Sequence, residues 1–290
     1  MSDAALPNSF TAFRRRALRN SGITIGGTIL LVFVVMAVFA PLLAPHDPFA
    51  QDLSRRFLPP FWQERSVPEH LLGTDHLGRD YLSRLIYGAR VSLGVGIGVI
   101  AIASAIGITL GLLGGYFGGR VDIVISFIIT TRLSLPIVLV ALAAVAVGGA
   151  SLQTLVTVMG LLLWDRFAVV TRAATQSLRN QEFIMGLHAI GAGSIRILFL
   201  EILPNIQSTI LVVVTLEVAN VILLEAALSF LGLGVRPPTP SWGLMIAEGR
   251  DNILFDPWLI ALPGSLLCVL VLAVNLFGDG MRDITGPKRR

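Results

Sequence analysis

Four histidines and one cysteine are the side chains of this 290-residue chain best suited to hold a metal or act as a nucleophile. His46, His70, His76 and His188 fall in separate loops and lack the spacing of a helical metal site such as H-E-x-x-H. Cys268 stands alone inside an apolar run, where it packs as a small hydrophobe; a disulfide or a cysteine metal cluster within the chain is excluded. No G-x-x-x-x-G-K-[ST] run is present to cradle a phosphate, so the chain is not expected to hydrolyse ATP. No catalytic residue, bound cofactor or metal is expected.

The informative polar groups lie inside apolar runs, where an ionisable side chain is expensive and points to function by default. These are Asp165, Glu217, Asn220, Glu225 and Asn275. Glu217 and Asn220 are three apart and share a helix face, and Glu225 follows two turns later on nearly that face. Such a face looks toward a protein interior or a wet path. Hydrogen bonding between helices and a path for a polar solute remain equally open. Asp165 and Arg166 are placed near a membrane interface, where an arginine can snorkel.

Glycines at 107, 111, 115 and 119 recur every fourth residue, the spacing that lets two helix backbones approach inside lipid. Gly107, Gly111, Gly115 and Gly119 are therefore expected to form a packing stripe. The segment 171–205 is too long for a turn and too apolar for disorder. In QEFIMGLHAIGAG, Phe183, Leu187 and Ile190 form one helical stripe, with Glu182 and His188 off it. Gly191 and Gly193 end that helix, and Ser194 is expected to cap a second one running to Pro204. The result is a projecting apolar knob, which suggests a docking surface for another protein.

The elements that must position these residues follow from composition. Apolar residues make up 54% of the chain and charged ones 14%, against about 25% charged in a soluble domain. Mean hydropathy is +0.79. A water-soluble enzyme is disfavoured, and an all-α integral membrane protein is expected. Six apolar runs, at about 23–44, 91–116, 133–149, 152–170, 206–231 and 257–277, each suit a core about 30 Å thick. The apolar stretch 121–147 is interrupted by Arg132 and Pro136, and it is expected to divide into an interfacial helix to about Arg132 and a span from about Leu133. The resulting membrane domain covers 23–285, with tails at 1–22 and 286–290. Basic residues divide thirteen to eight in favour of the side holding both tails and the 171–205 loop, which the positive-inside rule makes cytoplasmic. The net charge of +4 is thus read as membrane orientation, not as nucleic-acid binding.

The outer loops 45–89 and 232–256 are too rich in aromatic and patterned residues to be linkers. Leu82, Leu85 and Ile86 predict a short amphipathic helix on the membrane surface, and Trp242 and Trp258 predict interface anchors.

The 171–205 loop resembles the ATPase-docking loop of bacterial ABC importer permeases, roughly E-A-A-x-x-x-G followed after about nine residues by I-x-L-P. Gly191 matches the central glycine, and Ile202, Leu203 and Pro204 match the end. Met185, Gly186 and Leu187 stand where E-A-A is the pattern, so the acidic residue is absent. GTDHLGRDYLSRLIYGARVSL (73–93), GGYFGG (114–119), EAALSFLGLG (225–234), PPTPSWGLM (237–245) and NLFGDGMRD (275–283) resemble the C-type permease of dipeptide and oligopeptide importers. The resemblance implies a six-span subunit of the bacterial inner membrane whose ATPase-docking residues are Phe183, Gly186, Leu187, Ala189, Ile190, Gly191 and Pro204. It implies a second permease as heterodimer partner, two ATP-binding subunits that use ATP and Mg, and an extracytoplasmic substrate-binding protein. Membrane lipid is the remaining partner. Nickel, opine and glutathione importers share the family, and an ion-driven carrier acting alone is the rival from another class.

Overall fold

The computed structural model describes residues 19–149 and 151–285. The basic residues Arg14, Arg15 and Arg16 and the segment 286–290, expected as tails, lie outside the described residues. Among those described, the chain is helical and its β structure is limited to an isolated bridge between Thr74 and Asp80. Ten helices carry the architecture. They are α1 (Ser21–Val38), α2 (Tyr81–Phe117), α3 (Gly119–Leu133), α4 (Ile137–Gly148), α5 (Leu152–Leu162), α6 (Asp165–Arg179), α7 (Glu182–Ala189), α8 (Leu203–Phe230), α9 (Trp242–Gly249) and α10 (Trp258–Thr285). Five helical stretches are long and apolar enough to cross a membrane, and a sixth arises if α3 and α4 count as one bent span.

Several starts are set by side chains that satisfy the orphan N–H groups of the first turn. Asn20 accepts from Ile23 at 3.2 Å, Asp80 from Ser83 at 2.8 Å, Ser151 from Thr154 at 3.0 Å and Ser241 from Leu244 at 3.2 Å. Ser194 does not cap: it lies inside a single helical turn whose N-cap is Gly193. The following Ile197–Ile202 turns are π-helical and lead directly into Pro204 near the start of α8. Proline removes one backbone donor and crowds the carbonyl four residues back, and a wider turn relieves that crowding.

The expected amphipathic helix around Leu82 is the first part of α2, which runs unbroken for 37 residues. Leu85 and Ile86 are buried in the protein interior, not laid on a surface. Trp242 and Trp258 are likewise buried, at 0% and 4% exposure. They pack with Phe33, Tyr81 and Leu85 in a core shared by α1, α2, α9 and α10. Two of the expected membrane anchors are therefore core residues of the loop-side cap.

The glycine stripe is real for three of its four members. A Cβ on Gly107 would lie 2.3 Å from the Trp164 carbonyl oxygen, on Gly111 2.6 Å from Thr171 Cβ, and on Gly115 2.6 Å from Thr175 Cβ. These glycines let α2 lie against α6 at backbone contact. Gly119 is outside the stripe. It follows the helix end with φ +51 and faces open space, so its role is to turn the chain into α3.

Two spans are broken. α3 and α4 meet at 80° across Ser134, Leu135 and Pro136, just after the division expected near Arg132. Pro136 disfavours helical conformation at Leu135, which fixes the position of the break. α4 has only 12 residues, too few to cross alone at about 20 residues per span. α5 and α6 are interrupted at Leu163 and Trp164 without a comparable bend, within one 28-residue stretch that counts as a single span.

Candidate functional site

Non-helical backbone at membrane depth is tolerated where it is buried in protein or lines a water-filled cavity. Here the two breaks stand beside one another and open onto a cavity of about 360 Å³. Arg132 and Ile137 come from the first break, Leu163 and Arg166 from the second, and Glu217 and Asn220 from the middle of α8. Glu217 is 2% exposed. Its Oε1 accepts from Arg166 Nη1 at 2.8 Å and from Asn220 Nδ2 at 3.3 Å. Arg132 lies 3.7 Å from Asp165, which is 4% exposed.

The expected face of three polar groups therefore divides. Glu217 and Asn220 share the cavity. Glu225 turns away: fully buried, its carboxylate accepts from Ser229 at 2.7 Å and from Ser92 of α2 at 3.4 Å. It cross-links two helices. Asp165 and Arg166 start α6, and each meets an opposite charge on another helix. Arg132 was missed as a lining residue. Arg132 and Pro136 were read as the interruption of that run, but not as part of a cavity wall.

A second feature lies at one end of the bundle. Arg172 forms a two-pronged pair with Asp122, joining α6 to α3, and Arg179 donates to the Tyr116 carbonyl at 3.1 Å. Beyond them α7 projects. Ile184 is completely buried and anchors it in a cluster with Leu112, Tyr116, Ile197 and Ile202. His188 stacks on Tyr116 with ring centroids 5.9 Å apart. The predicted stripe splits: Leu187 packs inward against that cluster, while Phe183, Met185 and Ile190 are exposed at 42%, 54% and 80%. Gly186, Ala189 and Gly191 are also exposed, and so is Pro204 beyond the π turn. Gly191 has φ +81, the left-handed conformation expected of a helix-ending glycine, and Ala192 N–H reaches back to the Leu187 carbonyl at 3.0 Å.

The opposite end is closed by the 45–80 loop and α9. Asp75 accepts from the Leu77 and Arg79 backbone N–H groups at 2.8 and 3.0 Å and from Arg79 Nε at 2.7 Å, and it also pairs with Arg84. Arg84 reaches Glu248 of α9 at 2.8 Å. Burial pushes the Asp75 carboxyl up, but Arg84, Arg79 and the two N–H groups outweigh it and hold it below its ordinary value. Two histidines read as separate also meet here. His70 Nδ1 is 2.9 Å and His46 Nδ1 3.6 Å from the same Asp80 oxygen. Sequence reading missed this because the chain folds back between them.

Residues 107–290 match the family model described as a binding-protein-dependent transport system inner membrane component. Residues 10–60 match the N-terminal transmembrane domain of oligopeptide transport permease C. The chain is 41% identical to a di/tripeptide transport system permease protein of Pseudomonas aeruginosa, covering 99% of this chain and 95% of that protein. It is 38% identical to a dipeptide transport system permease protein of Haemophilus influenzae, covering 93% and 92%. A chain from the inward-facing MetNI methionine ABC transporter shares the fold, with TM-score 0.58 at 17% identity, covering 70% of this chain and 96% of that one.

Proposed function

This chain belongs to the family of binding-protein-dependent transport inner-membrane components, and from that premise we propose that it carries di- and oligopeptides across the bacterial inner membrane. As a multi-pass permease it works with ATPase and substrate-binding components. The observation that carries the peptide reading is identity of 38–41% to dipeptide and di/tripeptide permeases along more than nine-tenths of the chain. The nickel, opine and glutathione alternatives have no such support.

In the proposed assembly a second permease pairs with this chain, and two ATP-binding subunits bind ATP and Mg on the cytoplasmic side. The basic asymmetry, twelve to eight once Arg166 is set aside as a cavity residue, supports placing α7 on that side. Phe183, Gly186, Ala189, Ile190 and Gly191 then face the ATPase, and Leu187 and Ile184 root the helix in the membrane domain. Closure of the ATPases pushes on α7. A helix anchored by a buried isoleucine and a ring stack moves the spans it is packed on. The α2–α6 contact, tight at Gly107, Gly111 and Gly115, transmits that movement as a rigid unit to the broken spans. The cavity beside Glu217 and Asn220 is the part of the path owned by this chain.

The test is growth of an amino-acid auxotroph on di- to pentapeptides with and without this gene, with nickel accumulation measured in parallel. Loss of peptide use with unchanged nickel is expected. Unchanged peptide use with lost nickel overturns the reading.

A further inference from the structure

The cavity between the broken spans carries more charge than its packing needs. Glu217 has 3% of its side chain exposed, while the Arg166 side chain paired with it at 2.8 Å is 61% exposed. Asn220 donates to the Glu217 oxygen that Arg166 uses. Arg132, from α3, has Asp165 at 3.7 Å and a buried Nε without a hydrogen-bond partner. The Arg132–Asp165 pair is largely buried, and such a pair gains little over apolar residues of equal volume, while an orphaned buried donor is a net cost. Both persist beside a space of about 360 Å³, within the range of about 300–1,000 Å³ typical of small-molecule sites.

Resting on the peptide reading above, we propose that this cavity is a substrate station that holds the two charged ends of a short peptide separately. Glu217, aligned by Asn220, receives the ammonium terminus. Arg166 leaves Glu217 and, with Arg132, receives the carboxylate. A guanidinium matches a carboxylate with two parallel N–H donors, which a lysine in this place would not. The exchange replaces one internal ion pair by two to the substrate, so no charge is left unpaired as the zwitterion enters. A peptide with either end blocked leaves Arg166 or Glu217 uncompensated. The site thereby selects for free termini inside the membrane domain, independently of whatever the binding protein selects outside.

The alternative is that Arg166 and Glu217 only tie α6 to α8, and the experiment separates the two. The intact complex in proteoliposomes is scored for uptake of radiolabelled dialanine and for ATPase stimulation by the loaded binding protein. The double variant Arg166→Gln with Glu217→Gln keeps side-chain size and a neutral hydrogen bond between the helices. A structural tie tolerates it. A station for charged ends loses uptake by about tenfold or more, the loss expected when buried charges lose their partners, with ATPase stimulation unchanged. Arg132→Gln, which leaves that pair intact, is expected to give the same split, and it decides the matter if the double variant fails to assemble. Arg166→Lys is expected to retain part of the uptake. Wild-type uptake in the neutral variants overturns the station and leaves the peptide function standing. Absence of dialanine uptake by the wild-type complex overturns the function and this occupant together.

Discussion

The indole Nε1 of Trp242 donates to the Leu85 carbonyl at 3.0 Å, joining α9 to the first turns of α2. Gly88 makes room for the ring: a Cβ there would lie 2.8 Å from Trp242 Cδ1. The 232–256 loop is thereby built into the helix bundle, with Phe33 edge-on to the same indole at 5.5 Å. Replacing Trp242 by Ala empties a fully buried site and is expected to destabilise this end by about 3–5 kcal/mol. Gly88→Val is expected to do comparable harm through overlap with the ring. Thermal unfolding of the purified complex and protease nicking within 45–80 report both. An unchanged profile for Trp242→Ala refutes the packing role.

Helix contact makes opposite predictions for two glycines in the same helix. Gly111 touches α6, with the Arg172 backbone nitrogen 3.0 Å from where its Cβ would be, whereas Gly94 has nothing within 4 Å. Gly111→Ile is expected to lower the level of assembled permease several-fold, because backbone cannot move aside as a flexible side chain can. Gly94→Ala is expected to be silent or slightly stabilising, as glycine is a poor helix former. Membrane-fraction immunoblots and complex recovery measure the contrast.

Much of this fold was legible in the sequence because its signals are local. Apolar runs give spans, Gly111 and its neighbours give a packing stripe, and Gly191 gives a helix end. The outer loop was read less well. Trp242 is identical in composition terms to a membrane anchor, and only its partner Leu85, far away in sequence, makes it core. The same holds for His46 and His70, brought together by Asp80. At the cavity, Glu217 and Asn220 were found by their three-residue spacing on one helix. Arg132 and Arg166 were not, since their role depends on two breaks facing each other, which periodicity within one segment does not encode.

Acid sensitivity of the end closed by the 45–80 loop and α9 follows from Asp75. Its folded-state pKa is depressed, so the stability it contributes is fully present above its unfolded value and is lost as pH falls through the folded one. The complex is therefore expected to lose stability as pH falls below about 4, near the ordinary aspartate value. Asp75→Asn is expected to be less stable at neutral pH and to show a shallower decline on acidification. Melting temperatures of both proteins from neutral to acidic pH provide the check. Parallel declines exclude Asp75 as the titrating contact.

Orientation is open to direct labelling. Cys268 is the chain's one cysteine, so Cys268→Ser gives a clean background. Trp62 and Leu254, exposed at 47% and 88%, lie in the two loops assigned to the outside, and Ile195, exposed at 75%, lies beside α7. Cysteines at 62 and 254 are expected to react with an impermeant thiol reagent in intact spheroplasts, and one at 195 only after lysis. Labelling at 195 before lysis reverses the assignment of α7 to the cytoplasm.

The docking proposed for α7 depends on a turn only glycine makes cheaply. Gly191 has φ +81 and open space around its Cα, so a substitution there acts through backbone strain and not through collision. Gly191→Val places a β-branched residue in the left-handed region, at a cost of roughly 1–3 kcal/mol. The anchor Ile184 and the stack of His188 on Tyr116 lie before the turn and stay in place. What shifts is the exposed end at Ile190 and the approach to Ser194. Membrane insertion is therefore expected to be normal, while recovery of the ATPase with the permease and peptide uptake both fall. Ile190→Asp offers a strain-free comparison: it alters an 80% exposed apolar contact without touching the turn. Co-purification from membranes, quantified as ATPase per permease, should drop in both variants. Wild-type ratios in both would remove α7 from the docking surface.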